Sequence, residues 1–132
     1  MTGNIPSSPL SVLVVDDEML IRWSISEALL GSGHRVVQAG SADSAREAVG
    51  SAQAPIDVVL LDYRLPDSTG LTLLKEIRQT LPESAVVLMT AYDTRELVSD
   101  ALSLGVFRVL DKPFDMHGLD SLVRSAHAAR QH

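Results

Sequence analysis

The sequence predicts a doubly wound α/β fold, five parallel strands in one sheet with helices on both faces. Short apolar runs alternate five times with stretches whose apolar residues recur at helical spacing, and right-handed crossovers between parallel strands bury both faces of such a sheet. Val58, Val59, Leu60 and Leu61 form an unbroken aliphatic run, which reads as a strand buried on both sides rather than one. The run ends on Asp62, and Pro66 and Asp67 then turn the chain. This delivers a carboxylate to the sheet edge where open α/β folds build their sites.

Residues 10–15 are the first strand, ended by Asp16, Asp17 and Glu18; Ile21, Ser24, Ile25, Ala28 and Leu29 then follow at helical spacing until Gly31 and Gly33 stop the helix. Residues 34–39, with Val36 and Val37, are the second strand, and Ser41 caps a helix carrying Ala42, Ala45, Ala48 and Val49 along one side. Pro55 breaks the chain before the central strand at 56–61. The turn to Gly70 leads into a third helix marked by Leu71, Leu74 and Ile77 and closed by Pro82. Residues 85–89 run into Thr90, Ala91 and Tyr92, and Asp93 with Glu96 has capping-box spacing for a helix bearing Leu97, Val98, Ala101 and Leu102. Gly105 ends it. Residues 106–110 are the fifth strand, and past Asp111-Lys112-Pro113-Phe114 the residues Leu119, Leu122, Val123 and Ala126 mark the last helix. Five such units match the flavodoxin-like strand order 2-1-3-4-5. The expected organisation is a loose polar tail over 1–9 and a single domain over 10–132, with no linker or second domain.

Composition narrows the function. With 132 residues and 45% hydrophobic content the chain can build one full-sized core, and the absence of cysteine excludes disulfides, thiolate metal sites and thiol nucleophiles and fits a cytoplasmic protein. No apolar run approaches the roughly 20 residues a membrane helix needs. A net charge of −6, with Lys75 and Lys112 the only lysines, argues against direct nucleic-acid binding.

The unusual polar groups share one address. Asp16 and Asp17 follow the first strand, Asp62 the third, Thr90 the fourth and Lys112 the fifth, and these four strands are neighbours in the expected order. The second strand, ending at Gln38-Ala39-Gly40, contributes nothing and lies at the sheet edge. Taken singly, each residue has an ordinary reading: helix-start acids, a capping Thr, a solvated Lys in a turn. Jointly they make a site. Three clustered carboxylates repel one another and call for a hard cation; Mg²⁺ suits oxygen donors, with Asp17 and Asp62 as direct ligands, Asp16 through water, and a main-chain carbonyl just past Asp62. Lys112 and Thr90 suit phosphate oxygens, and an Asp carboxylate can itself be phosphorylated. Trp23 lies off the Ile21/Ile25/Leu29 stripe and reads as partly exposed, and His34, His117, His127 and His132 read as surface residues.

Val14-Val15-Asp16-Asp17-Glu18, Leu61-Asp62-Tyr63-Arg64-Leu65-Pro66-Asp67, Met89-Thr90-Ala91-Tyr92 and Asp111-Lys112-Pro113-Phe114 together resemble the receiver domains of two-component response regulators, from Leu10 to about Ala129. The wording Ile21-Arg22-Trp23-Ser24-Ile25 and Thr90-Ala91-Tyr92 is nearest to receivers of enhancer-binding transcriptional activators. The resemblance implies that Asp62 accepts phosphate from a sensor histidine kinase or phosphotransfer protein. It further implies Mg²⁺ on Asp16, Asp17, Asp62 and the main-chain carbonyl of Arg64, and a phosphoryl group held by Thr90, Lys112 and the Ala91 backbone. A cis peptide between Lys112 and Pro113 and self-dephosphorylation tuned by Arg64 and Tyr92 are also implied, as is a homodimer through the fourth helix, fifth strand and fifth helix. Such a domain is a regulatory switch rather than a metabolic enzyme. One departure stands out: receivers commonly carry Tyr or Phe three residues before the site lysine, and here that residue is Val109, with Phe107 expected on the same side of the strand. A phosphorylation-independent pseudo-receiver should lack one of the five key residues, and none is lacking. A haloacid-dehalogenase-type phosphatase would need Asp-x-Asp after the first strand, and flavodoxin a Ser/Thr/Gly-rich loop there.

Overall fold

The structure is a computed structural model describing residues 8–68 and 71–130. Expectations placed on residues 1–7, on the turn at Gly70 and on His132 lie outside the described residues. Strands β1 (Ser11–Val15), β2 (Arg35–Ala39), β3 (Val58–Asp62), β4 (Ala85–Thr90) and β5 (Arg108–Asp111) alternate with helices α1 (Met19–Gly31), α2 (Ala42–Gly50), α3 (Thr72–Thr80), α4 (Arg95–Ser103) and α5 (Leu119–Arg130). A single 3-10 turn, Met116–Gly118, precedes α5. All strand pairs are parallel, in the order β2-β1-β3-β4-β5.

The unbroken aliphatic run of β3 has a direct cause. Val59 and Leu61 face a core completed by α2, α3 and α4, whereas Val58 and Leu60 face a second core completed by α1 and α5. Every residue of β3 and β4 is therefore buried, while the edge strands β2 and β5 are partly exposed. Each core is closed by a helix face at the predicted spacing, Ile25 and Leu29 on one side and Leu74 and Ile77 on the other.

Four local expectations change. The N-cap of α4 is Thr94, whose Oγ1 accepts from Leu97 N–H at 3.1 Å, rather than Asp93; a tight turn closed by Thr94 N–H on the Tyr92 carbonyl delays the helix by one residue. Leu102 is half exposed, leaving Leu97 and Ala101 as the buried residues of α4. Phe107 does not share a side with Val109: it packs in the α1/α5 core and Val109 in the opposite one. Phe107 precedes β5, so the alternation of that strand does not extend to it. His34 is buried, not superficial, because its ring nitrogens bridge the Leu10 amide and Asp120. The Ser41 cap, with its Oγ accepting from Ser44 N–H, and the outward Trp23 are as expected. Among the described residues no helix is long and apolar enough to cross a membrane.

Candidate functional site

The carboxyl edge of the sheet gathers the predicted groups because four adjacent strands end there. One carboxylate oxygen each from Asp16, Asp17 and Asp62 lies within 4.8 Å of the others, with Asp16 and Asp62 buried and Asp17 exposed. Lys112 enters from the end of β5 and places Nζ 2.7 Å from Asp16 Oδ2, 3.3 Å from Glu18 Oε1 and 3.4 Å from Asp62 Oδ1. The other oxygen of Asp16 accepts the Glu18 N–H at 2.9 Å. Asp16 is thus spoken for by the chain, whereas Asp17 and Asp62 face an open cleft of about 270 Å³. Thr90, Ala91, Arg64 and Tyr92 complete that cleft, and the Arg64 guanidinium stacks 4.0 Å from the centre of the Tyr92 ring.

The electrostatics follow from this crowding. Burial, and then the neighbouring Asp16 charge, push the Asp62 carboxyl up to about 6, against the opposing pull of Lys112 and the Arg64 N–H. Burial alone would lower the Lys112 ammonium, but Asp16, Asp62 and Glu18 outweigh it and the net shift is upward. Lys112 stays charged. Thr90 Oγ1, buried, accepts the Tyr92 N–H at 2.9 Å. Its own hydroxyl hydrogen is available for an acceptor in the cleft. A hard divalent cation fits this donor set, since the carboxylates are oxygen ligands with uncompensated charge. The Lys112–Pro113 peptide is cis, as the resemblance implies.

Three participants escaped the sequence. Glu18 is a third carboxylate on Lys112, beside Asp16 and Asp62. Arg22 Nη1 donates to the Asp16 carbonyl at 2.8 Å and Nε to Gln38 Oε1 at 3.1 Å, so the end of β2 does contribute, through Arg22. Asp67, read as a turn former, also accepts the Ala42 and Asp43 N–H groups at 2.8 and 3.0 Å, which holds its carboxyl below the usual range. The Arg22–Gln38 and Asp67 contacts have no local signature, because their partners lie 16 to 25 residues apart, and the Arg22–Asp16 bond, six residues apart, ends on a carbonyl that no sequence pattern marks.

Comparison with known proteins gives concordant results. Residues 12–124 match the family described as response regulator receiver domain. The DNA-binding transcriptional regulator NtrC of Escherichia coli K12 is 39% identical over 115 residues, covering 87% of this chain and 24% of that protein. The chain therefore spans about a quarter of the length of that relative. The crystal structure of the receiver domain of NtrX from Brucella abortus superposes with a TM-score of 0.79 at 34% identity, covering 89% of this chain and 98% of that one. A CheY-like response regulator receiver domain protein from Methanospirillum hungatei JF-1 reaches a TM-score of 0.85 at 23% identity over 94% of this chain and 98% of that one, which bears on the fold alone.

Proposed function

Because the chain belongs to the response regulator receiver domain family, we propose that it is a phosphoacceptor whose Asp62 takes a phosphoryl group from a sensor histidine kinase or phosphotransfer protein. The observation that carries this reading is the single cleft in which Asp62 lies beside Asp17, Thr90 and Lys112, each delivered by a different strand end. A carboxylate oxygen of Asp62 forms the new bond to phosphorus while the bond from phosphorus to the donor's imidazole nitrogen breaks, and its electron pair leaves with the imidazole. Lys112, already 3.4 Å from Asp62, moves its charge onto a phosphoryl oxygen, and Thr90 and the Ala91 N–H donate to others. Asp16, Asp17, Asp62 and the Arg64 carbonyl would hold Mg²⁺, which supplies charge neutralisation and polarises the phosphoryl group. The Arg64–Tyr92 stack stands at the mouth and restricts water, setting the lifetime of the acyl phosphate.

The receiver unit is residues 10–132, acting in the cytoplasm as part of a transcriptional activator resembling NtrC, through pairing of α4, β5 and α5 with a second copy rather than through DNA contact. Acetyl phosphate with Mg²⁺ should add one acid-labile group of roughly 80 Da by intact mass, the increment of one phosphoryl unit. Omitting Mg²⁺ or substituting Asp62→Asn should abolish it. Equal labelling of Asp62→Asn and wild type would remove Asp62 as the acceptor.

A further inference from the structure

We propose that the second βα unit, which supplies no ligand, is the frame that fixes the cation site, with Arg22 and Asp67 as its positioning residues. The proposal rests on the cation reading of Asp16, Asp17 and Asp62. Two ligand-bearing loops meet this unit, and both are tied to it by hydrogen bonds, one between main chains and the rest through the side chains of Arg22 and Asp67.

The first tie holds the β1–α1 loop. The Asp16 N–H donates to the Ala39 carbonyl at 3.0 Å, and the Asp16 carbonyl accepts from Arg22 Nη1 at 2.8 Å. Arg22 in turn is braced by Gln38 and lies against Gly40, where an added Cβ would come 3.0 Å from Nη1 and 3.6 Å from Cζ. Gly40 has no positive φ, so its missing side chain makes room for the guanidinium rather than for a turn. Both peptide groups of Asp16 are therefore fixed by the end of β2, one directly and one through Arg22. The second tie holds the β3–α3 loop. Leu65 is buried in the α2/α3/α4 core, and two residues on Asp67 receives the first two N–H groups of α2. Between these anchors and Asp62 lies Arg64, whose N–H faces the Asp62 carboxylate. Outer partners that orient ligating groups commonly matter to affinity almost as much as the ligands.

Gly40→Ala is the selective probe, because the three atoms nearest its new Cβ all belong to Arg22, a side chain that can swing away without unfolding anything. In metal-free protein, ¹⁵N relaxation should show new mobility at Asp16 and Asp17 in Gly40→Ala and at Tyr63 and Arg64 in Asp67→Asn, with α5 unchanged. Unaltered dynamics at both loops overturns the frame, whatever the metal does. By calorimetric titration, Mg²⁺ should bind Gly40→Ala and Asp67→Asn about tenfold more weakly than wild type at nearly unchanged melting temperature. Arg22→Lys, with a single donor nitrogen in place of a planar fork, should fall between wild type and Arg22→Ala. Wild-type affinity in both frame variants, while Asp17→Asn has lost binding, also overturns the proposal. Equal binding by wild type and Asp17→Asn would instead sink the cation reading, and the relaxation data then decide the frame alone.

Discussion

The two ends of the sheet bury polar groups on opposite terms. At the amino end, His34 accepts the Leu10 N–H on Nδ1 at 3.0 Å, so its hydrogen sits on Nε2 and is donated to Asp120 Oδ1 at 2.7 Å. That bond, with Arg124 behind it, holds the Asp120 carboxyl below its ordinary range. Asp57 takes the Ser11 N–H at 2.8 Å, and the Ser84 hydroxyl donates to the Ile56 carbonyl. His34, Asp57 and Ser84 each meet a complement there, and among the described residues only the buried Nδ1 of His127, beside Leu10, lacks one. At the carboxyl end, Asp16 and Asp62 are buried beside Asp17 with one lysine among them, and Asp62 is pushed up to about 6. The fold solves burial by complementarity at one end and leaves charge uncompensated at the end where a ligand would arrive.

The largest effect expected from this contrast is at the amino end. His34→Ala strips a buried amide of its acceptor, leaves Asp120 without its closest partner and empties the ring's volume, and should cost about 2–4 kcal/mol by urea unfolding. Phosphorylation of Asp62 by acetyl phosphate should persist in whatever fraction stays folded. A loss under about 1 kcal/mol would mean that the network is decoration and the contrast is false.

Next in size is a gain at the other end. Asp62→Asn removes a carboxylate that the fold disfavours, and in metal-free protein at pH 7 it should stabilise by about 1–2 kcal/mol, less than its full shift would give. The sign is set by protons. Between the ordinary value of 3.8 and about 6 the folded protein holds the Asp62 proton more tightly than the unfolded chain does, so wild-type stability falls as pH rises through that window. The advantage of Asp62→Asn should therefore be complete above about pH 6 and vanish below about pH 4. Asp120 has the opposite slope: its lowered pKa adds stability above the ordinary carboxylate range that is lost on acidification. Saturating Mg²⁺ should erase the variant's advantage, since a bound cation stabilises wild type alone. A pH-independent difference would show that Asp62 carries no strain.

Much of this contrast was legible in sequence at one end only. Strand ends are local events: Val15 to Asp16, Leu61 to Asp62 and Met89 to Thr90 each mark an apolar run stopping on a polar group, and the sheet order then brings them together. His34 offered no such sign. Its partners, Leu10 and Asp120, lie 24 and 86 residues away, and a lone histidine after a glycine reads as surface. The Arg22–Gln38 and Asp67 ties were hidden for the same reason. The capping residue of α4 was missed by one position, because Asp93 and Thr94 are both competent caps and only the turn at Tyr92 chooses between them.

The smallest effect concerns how the charged end would signal, and it sets α4 against β5. Thr90 Oγ1 accepts the Tyr92 N–H, the Tyr92 carbonyl accepts the Thr94 N–H, and Thr94 caps α4 through Leu97. Drawing the Thr90 hydroxyl toward a phosphoryl group therefore pulls on the first turn of a helix that only Leu97 and Ala101 bury. Thr90 also reaches the end of β5, but through its main-chain carbonyl, which accepts the Lys112 N–H at 2.8 Å, and not through the hydroxyl that a phosphoryl group would draw. Val109 carries no ring to turn, and Phe107, half-buried, packs against the opposite core, so the two do not form one moving unit. Beryllofluoride with Mg²⁺, as a phosphoryl mimic, should shift the amide signals of residues 91–104, change Val109 and Phe107 little, and leave His34 and Asp57 at the far end as they were. A large concerted change at Val109 and Phe107 with α4 unmoved would put the switch in the strand. The hydrogen-bonded path from Thr90 to Thr94 would then be a static cap, and the uncompensated charge at this end would act on the fold by another route.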